Sequence, residues 1–174
     1  MKRFVEASLL ALSVLLLSAC GSSEYDSNRV STSTLSFELP EGVSEVDDYE
    51  PTDGWTESYS DNPDDPTIII RVGDDLDRTS DADSTLGVIR GEAMTNGSYG
   101  SDFSGEEASK LEVENADIGV EATFNTSAGS ETVHGAWMLL SSDDSDNVSG
   151  IEIIGTDISP SQVDEIRDSL EYNP

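Results

Sequence analysis

The sequence predicts an α+β domain, an antiparallel β-sheet with helices packed on it. Three observations lead there. Apolar runs with strand character come in two groups, each followed by a stretch with helical spacing, so the order is strands, helix, strands, helix. The turn clusters between the later runs are short enough for antiparallel hairpins. No stretch recurs at a fixed period, which argues against a solenoid or propeller, and 174 residues suit one domain with a tail.

Taken in order, Leu35-Ser36-Phe37-Glu38-Leu39 alternates strictly and stops at the turn Pro40-Glu41-Gly42, as a half-buried strand does. Residues 54–59 form a second strand, closed by the turn-rich segment 61–66. Thr67-Ile68-Ile69-Ile70-Arg71-Val72 is continuous and β-branched, which predicts a central strand covered on both faces. Over 83–95, Leu86, Ile89, Ala93 and Met94 fall at helical spacing, with Asp83 or Ser84 as cap and Gly97 just past the end. Gly87 and Gly91 weaken that helix. Strands resume at 110–113, 118–124, 132–140 and 148–154. The closing helix is the best specified: Ser159 supplies a cap, Pro160 sits in the first turn and Gln162 completes a capping box. Asp164 and Glu165 suit its positive end, and Val163, Ile166 and Leu170 form one stripe that must lie on the sheet.

The first twenty residues carry an address. Lys2 and Arg3 give a basic start, Leu9 to Leu17 an apolar run, and the run ends in Leu17-Ser18-Ala19-Cys20. This is an export signal, too short for the roughly 20 apolar residues of a membrane span. The tetrapeptide resembles the lipobox of bacterial lipoproteins. In that family the cysteine receives a diacylglycerol and is freed by cleavage before it, so the resemblance implies a cut between Ala19 and Cys20 and a palmitate-type anchor on Cys20, the chain's one cysteine. The alternative is an ordinary signal peptide with an incidental cysteine. The expected map is a signal peptide over 1–19, a Ser- and Gly-rich tether over 20–33 and a single domain over 34–174, held on the extracytoplasmic face of the cell membrane. Two acyl chains suffice, because each buried methylene contributes about 0.8 kcal/mol.

Eight basic side chains face 37 acidic ones, for a formal charge of −29. Such a polyanion repels phosphate, which excludes a nucleic-acid partner. Loss of the signal peptide removes Lys2, Arg3 and Glu6, leaving −30 and Lys110 as the mature chain's one lysine. Self-repulsion of this size is relieved as salt shortens the Debye length from about 8 Å to about 3 Å at 1 M. The acidity suits a salt-adapted host; solubility of an exported domain is the plainer reading.

Phe37-Glu38-Leu39-Pro40-Glu41-Gly42, the mid-chain helix, Lys110-Leu111-Glu112-Val113-Glu114 leading into a meander, and the closing helix ending in Ser169-Leu170 together resemble the PsbP-like fold, and more narrowly the LpqN-type lipoproteins of actinobacteria. The likeness spans about residues 34–172 and implies a PsbP-like α/β/α sandwich. Where that family has Pro-x-Gly-Trp, Gly42 is followed here by Val43, and the tryptophan arrives at Trp55 after Gly54. Members of this fold include photosystem extrinsic subunits, a Ran-binding import factor and envelope lipoproteins, which act mostly as adaptors, so the resemblance implies no catalytic set.

Direct inspection finds no catalytic constellation either. His134 is the one histidine, Gly-x-Ser-x-Gly is absent, and lipidation of Cys20 leaves no thiol for catalysis or metal. His134 therefore reads as structural or exposed. The acidic loops 61–65, 74–83 and 143–146 offer hard oxygens, yet none has EF-hand spacing: from Asp75, Ser80 replaces the turn glycine and Leu86 the closing glutamate. No Walker or dinucleotide motif is present, and no cofactor or metal is expected. Asn96, Asn125 and Asn147 begin glycosylation-type triplets that a bacterium would leave bare. Trp55, Tyr59 and Trp137 could line a ligand surface, although strand aromatics more often fill cores. The expected function is a non-catalytic, envelope-anchored binding or adaptor module whose acidic surface meets a cationic protein partner. The alternative is a carrier or sensor of a small apolar ligand held between helix and sheet.

Overall fold

The structure, a computed structural model, describes residues 28–76, 78–96, 99 and 102–174. The signal peptide, Cys20, Asp77 and Gly97 lie outside the described residues. In chain order the elements are β1 (Arg29–Ser31), β2 (Leu35–Glu38), β3 (Ser44–Glu45), β4 (Glu57–Ser60), β5 (Ile68–Gly73), α1 (Ala82–Asn96), β6 (Ser104–Gly105), β7 (Ser109–Lys110), β8 (Ile118–Ala128), β9 (Glu131–Ser141), β10 (Val148–Gly155), α2 (Pro160–Ser169) and β11 (Glu171–Tyr172). All pairings are antiparallel. The main sheet runs β3-β4-β5-β10-β9-β8-β6, with β7 also on β8, and a second sheet runs β1-β2-β11. The α+β class read from the sequence is the architecture observed.

Two apolar clusters fill the two faces of the main sheet. On one, α1 places Leu86, Ile89 and Ala93 against Val120, Phe124, Trp137 and Leu139. On the other, Ile166 and Leu170 of α2, with Leu35, Phe37 and Tyr172 of the second sheet, cover Ile70, Met138, Ile151 and Ile153. One outer layer is thus a helix together with a small sheet, not a helix alone. Period-two alternation assigns the faces: in β8 through β10, Val120, Phe124, Trp137 and Leu139 point toward α1, and Met138, Leu140, Ile151 and Ile153 toward α2. Gly135 has to be a glycine, because a Cβ there would lie 2.1 Å from Phe124 Cζ, and that ring stacks on Trp137 with centroids 4.1 Å apart.

Several boundaries differ from expectation. The fold reaches into the presumed tether: Val30 is buried, and Arg29 forms a 2.7 Å ion pair with Glu171, so β1 joins the second sheet and folding begins before Thr34. The expected first strand, β2, also belongs to that sheet. In β5, Ile69 and Arg71 remain partly exposed toward α1, so that strand is covered fully on one face only. The cap of α1 is neither Asp83 nor Ser84. Asp81 accepts from Ser84 N at 2.8 Å. The expected strand over 110–113 shrinks to β7, while β8 runs four residues beyond Phe124. The α2 cap is as read, with Ser159 and Gln162 in a reciprocal capping box. No helix among the described residues is long and apolar enough to cross a membrane.

Candidate functional site

An apolar strand interrupted by charge is the strongest local anomaly. Glu152 sits mid-β10 and is fully buried. Register places it between Arg71 on β5 and Trp137 on β9, all three on the α1 face. Arg71 Nη1 donates to Glu152 Oε2 at 2.8 Å, Trp137 Nε1 donates to Oε1 at 2.9 Å, and the Tyr99 hydroxyl donates to Oε1 as well. A carboxylate costs several kcal/mol to bury, and three donors are what makes this one tolerable. Burial, then the neighbouring Glu152 charge, pushes the Tyr99 phenol well above its ordinary range, so it stays a donor.

Arg71 reaches outward from this cluster. Its side chain is 34% exposed and forms part of the wall of a cleft of about 440 Å³ between α1 and the 49–55 loop. Arg78 lines the same cleft, ion-paired to Glu92 of α1 and donating from Nη2 to the Asp53 carbonyl at 3.3 Å. Asp53 and Gly54 both have positive φ, 54° and 88°, in the tight turn closed by the Thr52–Trp55 bridge. Gly54 is required there, since a Cβ would lie 2.8 Å from Leu76 Cα.

A second cleft, of about 450 Å³, opens between α2 and the β8–β9 half of the opposite face. Its floor includes Ala136 and its helix wall Val163 and Pro160; His134, Asp164 and Arg167 stand around it. His134 is exposed, and its Nδ1 donates to Asn125 Oδ1 at 2.6 Å, so its hydrogen bond runs to an amide and not to a nucleophile or a carboxylate. Arg167 anchors the helix to the sheet through Nε to Glu121 Oε2 at 2.8 Å.

The three aromatics considered as a ligand surface do not share one. Trp55 and Trp137 lie on the α1 face and Tyr59 on the α2 face, all buried. The sequence reading missed Arg71, Arg78, Tyr99 and Glu152 as a group. The available signal was the lone charge in each of two otherwise apolar strands, at Arg71 and Glu152.

Several surface and loop carboxylates accept hydrogen bonds from neighbouring segments of the chain. Asp61 accepts from Thr67 N and Ile68 N, each at 2.9 Å. Asp117 accepts from Asp143 N at 2.7 Å. Asp74 accepts from the backbone and hydroxyls of Ser33 and Thr34 and from the Thr32 hydroxyl, tying the start of the fold to the loop after β5. Among the described residues no group of three or more His, Cys, Asp or Glu is arranged to hold a metal. Burial alone would raise the Asp74 pKa, but the bonds from Ser33, Thr32 and Thr34 outweigh it and hold the carboxyl below its usual value. A lowered folded pKa gives stability that is present above the unfolded value, about 3.9, and is lost as the pH falls through the folded one. Asp74→Asn should therefore melt several degrees lower than wild type at pH 7, and the gap should narrow as the pH is taken down past the unfolded value, as followed by circular dichroism.

No protein-family model matches the chain, and no curated protein matches it. Solved structures do. The Ran-binding protein Mog1p of Saccharomyces cerevisiae aligns with a TM-score of 0.50 at 12% identity, over 79% of this chain and 89% of its own. A point mutant of Mog1 aligns with the same score at 11% identity, over 79% and 89% of the two chains. At such identity the likeness concerns the fold, an antiparallel sheet with helices on it.

Proposed function

We propose that this chain is a non-catalytic binding module of the cell envelope, moored by a lipid on Cys20, whose acidic surface engages a cationic protein partner. One observation carries the reading. Most of the few cations are engaged by the chain itself: of the six basic side chains among the described residues, Arg29, Arg71, Arg78, Lys110 and Arg167 each pair with a carboxylate of the same chain, and Arg90 is the sixth. The exposed carboxylates of the loops, Asp64, Asp65, Asp143, Asp144 and Asp146 among them, keep their negative field toward solvent. Such a field steers a cationic partner and repels anionic lipid, which holds the domain away from the bilayer on its tether. Mog1p, whose fold this chain shares, binds the protein Ran, and that is consistent with a protein partner without identifying one.

The test is co-purification of the full chain from its own membranes at graded salt. A partner released by molar salt and lost on replacing Asp64, Asp65, Asp143 and Asp144 with Asn supports the reading; retention under both conditions contradicts it. The chain itself should melt higher in molar salt than in dilute buffer, because screening relieves its self-repulsion. A second reading, a carrier of a small apolar ligand, draws on the 450 Å³ cleft beneath α2, and saturable uptake of a medium-chain fatty acid blocked by Ala136→Trp would favour it.

A further inference from the structure

We infer that the cleft between α1 and the 49–55 loop binds a small zwitterion of the α-amino-acid class, with its carboxylate toward Arg71 and Arg78 and its ammonium toward Asp53 and Glu92. In a chain carrying −29, scarce arginines would be expected to disperse across the acidic surface, yet two of them converge on this one cleft of about 440 Å³. Arg71 cannot be explained as surface neutralisation, since its partner Glu152 is buried behind it. A guanidinium has five N–H donors. The Nε atoms of Arg71 and Arg78 are buried without a hydrogen-bond partner, two of the four such side-chain atoms among the described residues. Orphaned donors of this kind are uncommon in native folds and point to an acceptor absent from the protein itself. A carboxylate seated in the cleft, met by a small turn of either guanidinium, supplies it in the bidentate geometry that arginine favours.

Charge on the lining selects the class. Arg71 is already paired with Glu152 behind it and Arg78 with Glu92, and Asp53 adds a further carboxylate to the lining, so a phosphate or polycarboxylate would meet net negative charge at close range. A ligand with one charge of each sign satisfies both pairs. It is also neutral overall and so is not repelled by the field of the whole domain, as a free anion would be. Ile89, Ile154 and Trp55 line the same space and offer an apolar wall to a side chain. This inference is independent of the adaptor reading, whose test alters loops elsewhere on the chain.

The twenty common L-amino acids, added one at a time at millimolar concentration to the full chain, form the test, with the melting temperature and then isothermal titration as readouts. At least one should raise Tm by several degrees and titrate to saturation. For that one, the matching amine without its carboxylate and the matching acid without its ammonium should each bind at least tenfold more weakly. Arg78→Gln should weaken binding tenfold or more, and so should Asp53→Asn, an exposed position whose substitution leaves the core untouched. No response to any amino acid, equal binding of the bare acid or bare amine, or unchanged affinity in Asp53→Asn and Arg78→Gln would each overturn the inference.

Discussion

Replacing Glu152 with alanine should destabilise the domain by about 3–5 kcal/mol, the usual cost of removing one partner of a buried ion pair. The loss has three sources. Arg71 keeps its charge with its buried partner gone, the Trp137 indole N–H and the Tyr99 hydroxyl lose their acceptor, and a cavity opens in the middle of β10. In a domain of this size that corresponds to a fall in melting temperature of roughly 10–20 °C. The pair is not expected to be a net gain over a well-packed apolar core, since desolvation offsets most of its attraction. Changing both Arg71 and Glu152 to Met should therefore recover much of the loss. A double variant as unstable as Glu152→Ala alone would show that the cluster stabilises the sheet in its own right. A single variant that melts like wild type would mean that Glu152 is not buried as described.

Ile166→Asp should have an equal or larger effect. Ile166 is fully buried where α2 crosses onto the second sheet and the Ile151 and Ile153 side chains. The substitution forfeits about 1.5–3 kcal/mol of apolar burial and adds several kcal/mol for an unpaired charge. Since whole domains are stable by about 5–15 kcal/mol, urea titration should find the variant largely unfolded in dilute buffer. Ile166→Ala, which leaves only a cavity, should cost about 2–5 kcal/mol and remain folded.

What could be read from the sequence follows from how local each signal is. The α2 cap was legible because Ser159, Pro160 and Gln162 act within one turn, and the β8–β9 hairpin because its strands alternate on both sides of a turn centred on Gly129. The second sheet was hidden. Its strands β1 and β11 are three and two residues long and gain their stability from Phe37, Leu35 and Tyr172 meeting across most of the chain. Likewise the Asp81 cap of α1 sits one turn ahead of the apolar period that locates the helix. The cleft arginines come from β5 and from the loop before α1, and their partners Glu152 and Glu92 lie 81 and 14 residues further along the chain. Single charges in apolar strands flag such a cluster without saying which charges meet.

The acidity of the chain and the address at its start belong to one account. A domain that ties most of its few cations to its own carboxylates presents a negative face that repels nucleic acid and anionic headgroups alike, so on the function proposed above a lipid on Cys20 is what would hold it at a membrane. The most direct test is the intact mass of the mature chain recovered from the membrane fraction. A polypeptide beginning at Cys20 and heavier by a diacylglycerol supports the account. A free thiol at that residue, or a mature terminus elsewhere, contradicts it.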